Sequence, residues 1–148
     1  MSRTLTRLLI HVVFSTEDRR DLIVPDVEPD LHAYLGGICR DESSPVLAIG
    51  GTANHVRLLI SIGKSMAVSD LMLAVKKNSS KWIKTKGPSF SDFRWQDGYG
   101  AFTIGESQRE AVIKYIQRQK ERHKTMGFED ELVALLDRYG VSYDPKYL

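Results

Sequence analysis

The chain has 148 residues, 42% of them hydrophobic, with a formal net charge of +2 and one cysteine. That length predicts one domain, residues 1–148, with a real core. Cys39 alone excludes an internal disulfide and a four-cysteine zinc site, and points to a reducing, cytoplasmic setting. No apolar run approaches the ~20 residues of a membrane span, so no membrane partner is expected.

In chain order, residues 5–15 form an apolar, β-branched run that predicts a strand. The basic start before it could pass for a signal peptide. It lacks a small-residue cleavage site and carries His11, which favours the strand. Residues 16–20 make a charged turn, and residues 21–24 a short strand or extended arm. Pro29 and Asp30 then open a helix whose apolar positions Leu31, Tyr34, Leu35, Ile38 and Cys39 follow helical spacing. Gly36 and Gly37 inside it cost propensity. They suggest that another backbone approaches closely.

Residues 46–50 and 55–62 predict a second and third strand, joined by a glycine-rich turn. Residues 68–84 predict a helix with Val68, Leu71, Met72, Val75, Trp82 and Ile83 on one stripe. Residues 89–97 form a loop with Phe90, Phe93 and Trp95, and residues 99–104 a fourth strand. Ser107 to Glu110 reads as a capping box opening a helix that carries Val112, Tyr115, Ile116, Gln119 and His123. Residues 128–139 predict a last amphipathic helix with Leu132, Leu135 and Leu136 inward and Gly140 as its cap. The order β-α-β-β-α-β followed by helices predicts an α+β, ferredoxin-like split βαβ fold with an antiparallel sheet. Fold order of this kind hosts many functions.

Charge is unevenly placed. Residues 76–86 hold five lysines and no acid, and residues 114–124 hold five cations against Glu121 alone. One such run usually marks a solvated helix face. Two, with aromatics nearby, favour an anionic partner. The candidate contacts are Lys76, Lys77, Lys81, Lys84 and Lys86, with Arg94 from the aromatic loop, Arg118, and Arg19 and Arg20 after the first strand. Phe93 and Trp95 could stack on unpaired bases or cover a sheet edge.

The most informative stretch is Asn54-His55-Val56-Arg57, taken with Tyr115 and Gln119. On a strand His55 and Arg57 share a face. On a helix Tyr115 and Gln119 lie one turn apart on one face. A lone strand histidine is more often a satisfied core group than a ligand, and a helix tyrosine more often simply packs on a sheet. Lys114 and Arg118 beside Tyr115 would favour a phenolate.

This set, together with His11 to Thr16, Ile49 to Val56, Ser79 to Gly87, Trp95 to Phe102 and Phe128 to Glu131, resembles the single-tyrosine transposases of the insertion sequence 200/605 type. Those enzymes carry His-hydrophobic-His on the strand and Tyr-x-x-x-Gln on the helix. The resemblance implies a DNA transposase acting on single-stranded DNA with hairpin ends. Tyr115 would be the nucleophile, giving a 5′-phosphotyrosine. His55 and Gln119 would hold a Mg²⁺ or Mn²⁺ ion. It also implies a homodimer in which the tyrosine helix can complete the partner's strand site.

Arg57 departs from the pattern. It stays protonated and has no lone pair for a metal. Three outcomes follow, in order of preference. The protein is an inactive relative that still binds DNA; Arg57 clamps the phosphate and partly replaces the metal's charge; or another side chain such as His123 completes a metal site. The rival reading is a non-catalytic single-stranded DNA- or RNA-binding module on the same fold. Asn54 replaces an aspartate common in the family, and Arg122 stands where a histidine is often found.

Overall fold

The computed structural model of the chain describes residues 3–122 and 127–147. Its elements are β1 (Leu8–Ser15), α1 (Glu28–Asp41), β2 (Val46–Thr52), β3 (His55–Ile62), α2 (Val68–Lys84), β4 (Gly100–Ile104), α3 (Arg109–Gln117), α4 (Gln119–Arg122) and α5 (Phe128–Arg138). The strands lie in the order β2-β3-β1-β4 and every neighbouring pair is antiparallel. This is the split βαβ frame that the element order predicts.

Strand alternation sends side chains to two faces, and both are covered. Ile10, Val12, Phe14, Val56, Leu58 and Ile60 face α1 and α2, where they join Leu31, Leu35, Leu71 and Met72 in the main core. Each such side chain removed from water stabilises the fold by about 1.5–3 kcal/mol. On the other face, Leu9, Ala48 and Leu59 pack on Ile116 of α3, and Val13 and Phe102 pack on Phe128 and Leu136 of α5. The site lies on this second face, between those two small clusters.

Several expectations shift. Residues 21–24 form no strand; they run as an arm that buries Ile23 and ties its amide to the Ala53 carbonyl at 2.9 Å. β2 extends to Thr52, so Gly50 and Gly51 pair with Arg57 and Val56 and the turn shortens to Ala53 and Asn54. No backbone crowds the α1 glycines: what faces Gly36 is the Ile49 side chain, at ordinary contact distance. The capping contact before α3 joins the Gly105 amide to Gln108 Oε1 at 3.2 Å, not Ser107 to Glu110. Phe93 and Trp95 are buried in the main core, where Trp95 Nε1 donates to Ser79 Oγ at 3.0 Å. They cover the sheet and are closed to a base. Trp82 is only half-buried, stacked on Tyr34 with Lys86 over its ring. Gly140 does cap α5, with φ 66 and the Val141 amide reaching back to the Leu136 carbonyl at 2.9 Å.

Candidate active site

The row crossing the sheet at Arg57 reads Gly50, Arg57, Val13, Gly100 from edge to edge. Small neighbours leave the guanidinium room to lie over the sheet, where it is fully buried. Two pairs along, on the same face, His55 faces Thr52 across the tight turn. Its Nδ1 lies 2.9 Å from Thr52 Oγ1 and 3.0 Å from Asn54 Oδ1, so the turn itself holds the imidazole.

The tyrosine helix is seated by Gly50. A Cβ there would lie 2.0 Å from the Ile116 carbonyl oxygen, so α3 rests its backbone directly on β2. The predicted single helix is broken. Arg118, at φ −102 and ψ 20, ends α3, and Gln119 begins α4. Gln119, the first residue past that break, lays its side chain against β3 and is 1% exposed.

Three side chains then meet on one atom. Arg57 Nε donates to Gln119 Oε1 at 2.9 Å, and His55 Nε2 lies 2.9 Å from the same oxygen. Arginine can only donate, so the atom it faces is the amide oxygen, and His55 Nε2 must carry a proton to bond there. Arg57 Nη1 also reaches His11 Nε2 at 3.5 Å, which makes that nitrogen an acceptor. His11 is accordingly neutral: burial, then the charge of Arg57, pushes its pKa down to about 3.

Tyr115 closes the set. The Arg57 guanidinium lies 5.4 Å from its ring centroid, and its hydroxyl donates to Glu131 Oε1 on α5. A buried cation and a buried carboxylate therefore flank one phenol. Burial raises the Tyr115 pKa, the Arg57 charge opposes that, and the hydrogen bond to Glu131 adds to the rise. The expected phenolate, favoured by Lys114 and Arg118, is not what the structure supports. Both cations are exposed, and the one that acts on the ring is Arg57. Phe128, also on α5, stacks on His55 with centroids 4.5 Å apart.

These residues do not suit a divalent metal. The Gln119 oxygen is engaged by Arg57, His55 points a proton at it, and a fixed guanidinium occupies the centre. Among the described residues no three His, Cys, Asp or Glu side chains come together as a metal site. His123 lies outside the described residues, as does the side chain of Arg122.

The predicted nucleic-acid contacts separate into two groups. Arg20, Lys77, Lys84 and Arg94 line a groove of about 950 Å³ between α2 and residues 91–99, with Tyr99 at its edge. Lys76 lines it too, but its ammonium is tied to the Gln96 carbonyl at 2.7 Å and to the Gly98 carbonyl, so it fastens the loop. Lys81, Lys86 and Arg118 are exposed outside that groove. Arg19 turns to α5, paired with Glu129 at 3.1 Å and over Phe128.

Sequence reasoning gave no role to His11, Phe128 or Glu131. Two signals were present. His11 is one alternation from Val13, on the face that Arg57 shares. Glu131 interrupts the apolar stripe of α5, between Phe128 and Leu135, where a solvated acid does not belong.

Fold and site together define an α+β protein whose antiparallel sheet gathers a histidine, an arginine, a tyrosine and a glutamine on one face. The chain belongs to the IS200-like transposases: residues 4–119 match the family described as "Transposase IS200 like". It is 24% identical over 121 residues to the ISDra2 transposase TnpA of Deinococcus radiodurans, covering 78% of this chain and 86% of that one. It is 25% identical over 122 residues to the transposase for insertion sequence element IS200 of Salmonella typhimurium, covering 77% of this chain and 78% of that one. Among solved structures, a Deinococcus radiodurans R1 chain assigned as a transposase superposes with a TM-score of 0.63 at 22% identity, over 80% of this chain and 95% of that one. A REP-associated tyrosine transposase bound to a REP hairpin superposes with a TM-score of 0.58 at 13% identity, over 78% and 68%. These two likenesses bear on the fold.

Proposed function

We propose that this transposase acts on single-stranded DNA in the cytoplasm, with Tyr115 as nucleophile and Arg57 as the resident positive charge of the site. The observation that carries the reading is the convergence of His55, Arg57 and Gln119 beside Tyr115 within one chain. The phenol oxygen attacks phosphorus and the bond to the 3′ oxygen breaks. The products are a 5′-phosphotyrosine and a free 3′-hydroxyl. The phosphodiester energy stays in the covalent intermediate, so rejoining needs no ATP. Arg57 is suited to offset charge on the phosphate, the task that a Mg²⁺ or Mn²⁺ ion would perform at a site built for one. His55 and Gln119 hold the guanidinium in place.

A hairpin end is the fitting substrate, and the groove with Arg20, Lys77, Lys84 and Arg94 the fitting contact. The Arg94–Glu17 pair there is exposed, and a phosphate can displace such a pair at little cost. A homodimer fits the same reading, with each tyrosine helix serving its own strand.

The test is incubation with labelled single-stranded DNA ends, with and without chelator. A covalent protein–DNA adduct should form, persist in chelator, and vanish in Tyr115→Phe. A second reading, a non-catalytic single-strand DNA- or RNA-binding module, is favoured by the cover that Phe128 and Glu131 lay over the site. Salt-sensitive DNA binding with no adduct under any condition selects that reading.

A further inference from the structure

We infer that Glu131 is the catalytic base that takes the Tyr115 proton as the phenol attacks. The inference rests on the reading of Tyr115 as nucleophile. The Tyr115 hydroxyl already donates to Glu131 Oε1, so the proton points along the path it would travel. Glu131 is 3% exposed on a helix stripe otherwise given to Phe128, Leu132, Leu135 and Leu136. Burying a carboxylate there is costly. Packing alone would be better served by an apolar side chain.

The phenol needs such a partner. Burial favours its neutral form, and a neutral phenol is a weak nucleophile unless a base takes its proton during attack. The other groups at the site are committed elsewhere. His11, from β1, uses Nε2 to accept from Arg57; His55, from β3, carries its Nε2 proton toward Gln119; Gln119, from α4, is an amide with no basic atom. Room exists for a phosphate. A cavity of about 360 Å³ between α3 and α5 reaches Tyr115 and Glu131 together, with His11 and Arg138 on its wall.

The step balances. The bond from Tyr115 Oη to phosphorus forms, the bond from phosphorus to the 3′ oxygen breaks, the phenol proton passes to Glu131, and the leaving 3′ oxygen takes a proton from water. In rejoining, a 3′-hydroxyl attacks the phosphotyrosine and gives its proton to water, the bond from phosphorus to Tyr115 Oη breaks, and Glu131 returns its proton to the departing phenol oxygen.

Diisopropyl fluorophosphate tests the pair without DNA. Tyr115 attacks its phosphorus, the P–F bond breaks, fluoride leaves, and the proton passes to Glu131. Peptide mass spectrometry on the full chain reads the rate at each tyrosine. Tyr115 should label fastest in the parent, with a normal solvent deuterium isotope effect, and about a hundredfold slower in Glu131→Gln. Equal or faster labelling in Glu131→Gln overturns the inference and makes Glu131 a stopper on the hydroxyl. No labelling of Tyr115 in the parent overturns it as well. Should Glu131→Gln fail to fold, the isotope effect in the parent decides, and its absence is fatal. Glu131-dependent labelling in a protein that forms no DNA adduct sinks the strand-transfer reading and leaves this one standing.

Discussion

Arg57 is the residue on which the site turns. It is fully buried, and it organises Gln119, His11 and the Tyr115 ring at once. Arg57→His removes the fixed charge and places a second potential ligand beside His55 and Gln119. We expect the variant to bind Mn²⁺ detectably by electron paramagnetic resonance while the parent does not. Equal Mn²⁺ binding by both proteins would refute the assignment of Arg57 as the resident cation. Tyr115→Phe should abolish adducts and also destabilise the fold by about 1–3 kcal/mol, because Glu131 loses a buried donor. A urea midpoint equal to the parent's would contradict this. His11 adds an acid sensitivity. Its pKa is 6.5 unfolded and about 3 folded, so between those values the unfolded chain binds a proton that the folded chain refuses. Stability falls as pH drops through that window, by about 1 kcal/mol per pH unit from this group, and is regained above it. His11→Gln keeps an acceptor for Arg57 and should make the decline shallower, as read by urea midpoints at several pH values. His32, whose pKa burial also lowers, keeps part of the slope.

At the scale of elements, the site depends on how α3 is seated and where it breaks. Gly50 lets the Ile116 carbonyl lie on β2, and a methyl group there must push α3 away. Gly50→Ala should cost about 1–3 kcal/mol and impair the site, because the carbonyl it would displace belongs to Ile116, the neighbour of Tyr115. Thermal melting reads the first effect and adduct yield the second. An unchanged melt would mean that α3 is free to move. α5 binds the site from above through Phe128 and Glu131, and Arg19 fastens α5 to the turn after β1 through Glu129. The last helix is thus part of the site's chemistry as well as its cover.

For the whole molecule, one chain supplies both halves of the site, the strand residues and the tyrosine helix. A mixture of His55→Ala and Tyr115→Phe proteins should therefore form no adduct. Rescue in the mixture would show that helices are exchanged between subunits, as the family resemblance first implied. Sedimentation near twice 16.8 kDa would support a dimer in which each site is nonetheless complete. DNA affinity should fall with salt with a log–log slope of roughly −0.7 per phosphate neutralised. Replacing Lys77 and Lys84 by alanine should flatten that slope. Lys76→Ala should instead lower stability, because its ammonium fastens the loop at Gln96 and Gly98.

The order of elements was legible in the chain because periodicity two and periodicity 3.6 are local properties. β3 and α2 begin and end where their patterns do. His55, Arg57, Tyr115 and Gln119 were legible as a set because strand alternation and the i, i+4 rule place pairs on a face without reference to the rest of the fold. What those pairs meet was not legible. The meeting of Arg57 with Gln119 rests on how a glycine in β2 seats α3 against the sheet, which helical spacing does not show. The burial of Phe93 and Trp95 depends on which side of the sheet a loop crosses. The partnership of Tyr115 with Glu131 joins residues from two helices, and only the packing of α5 over the sheet brings a carboxylate to the phenol. Local pattern assigns each residue a face; tertiary packing alone decides which charges share one low-dielectric space, and so which proton can move.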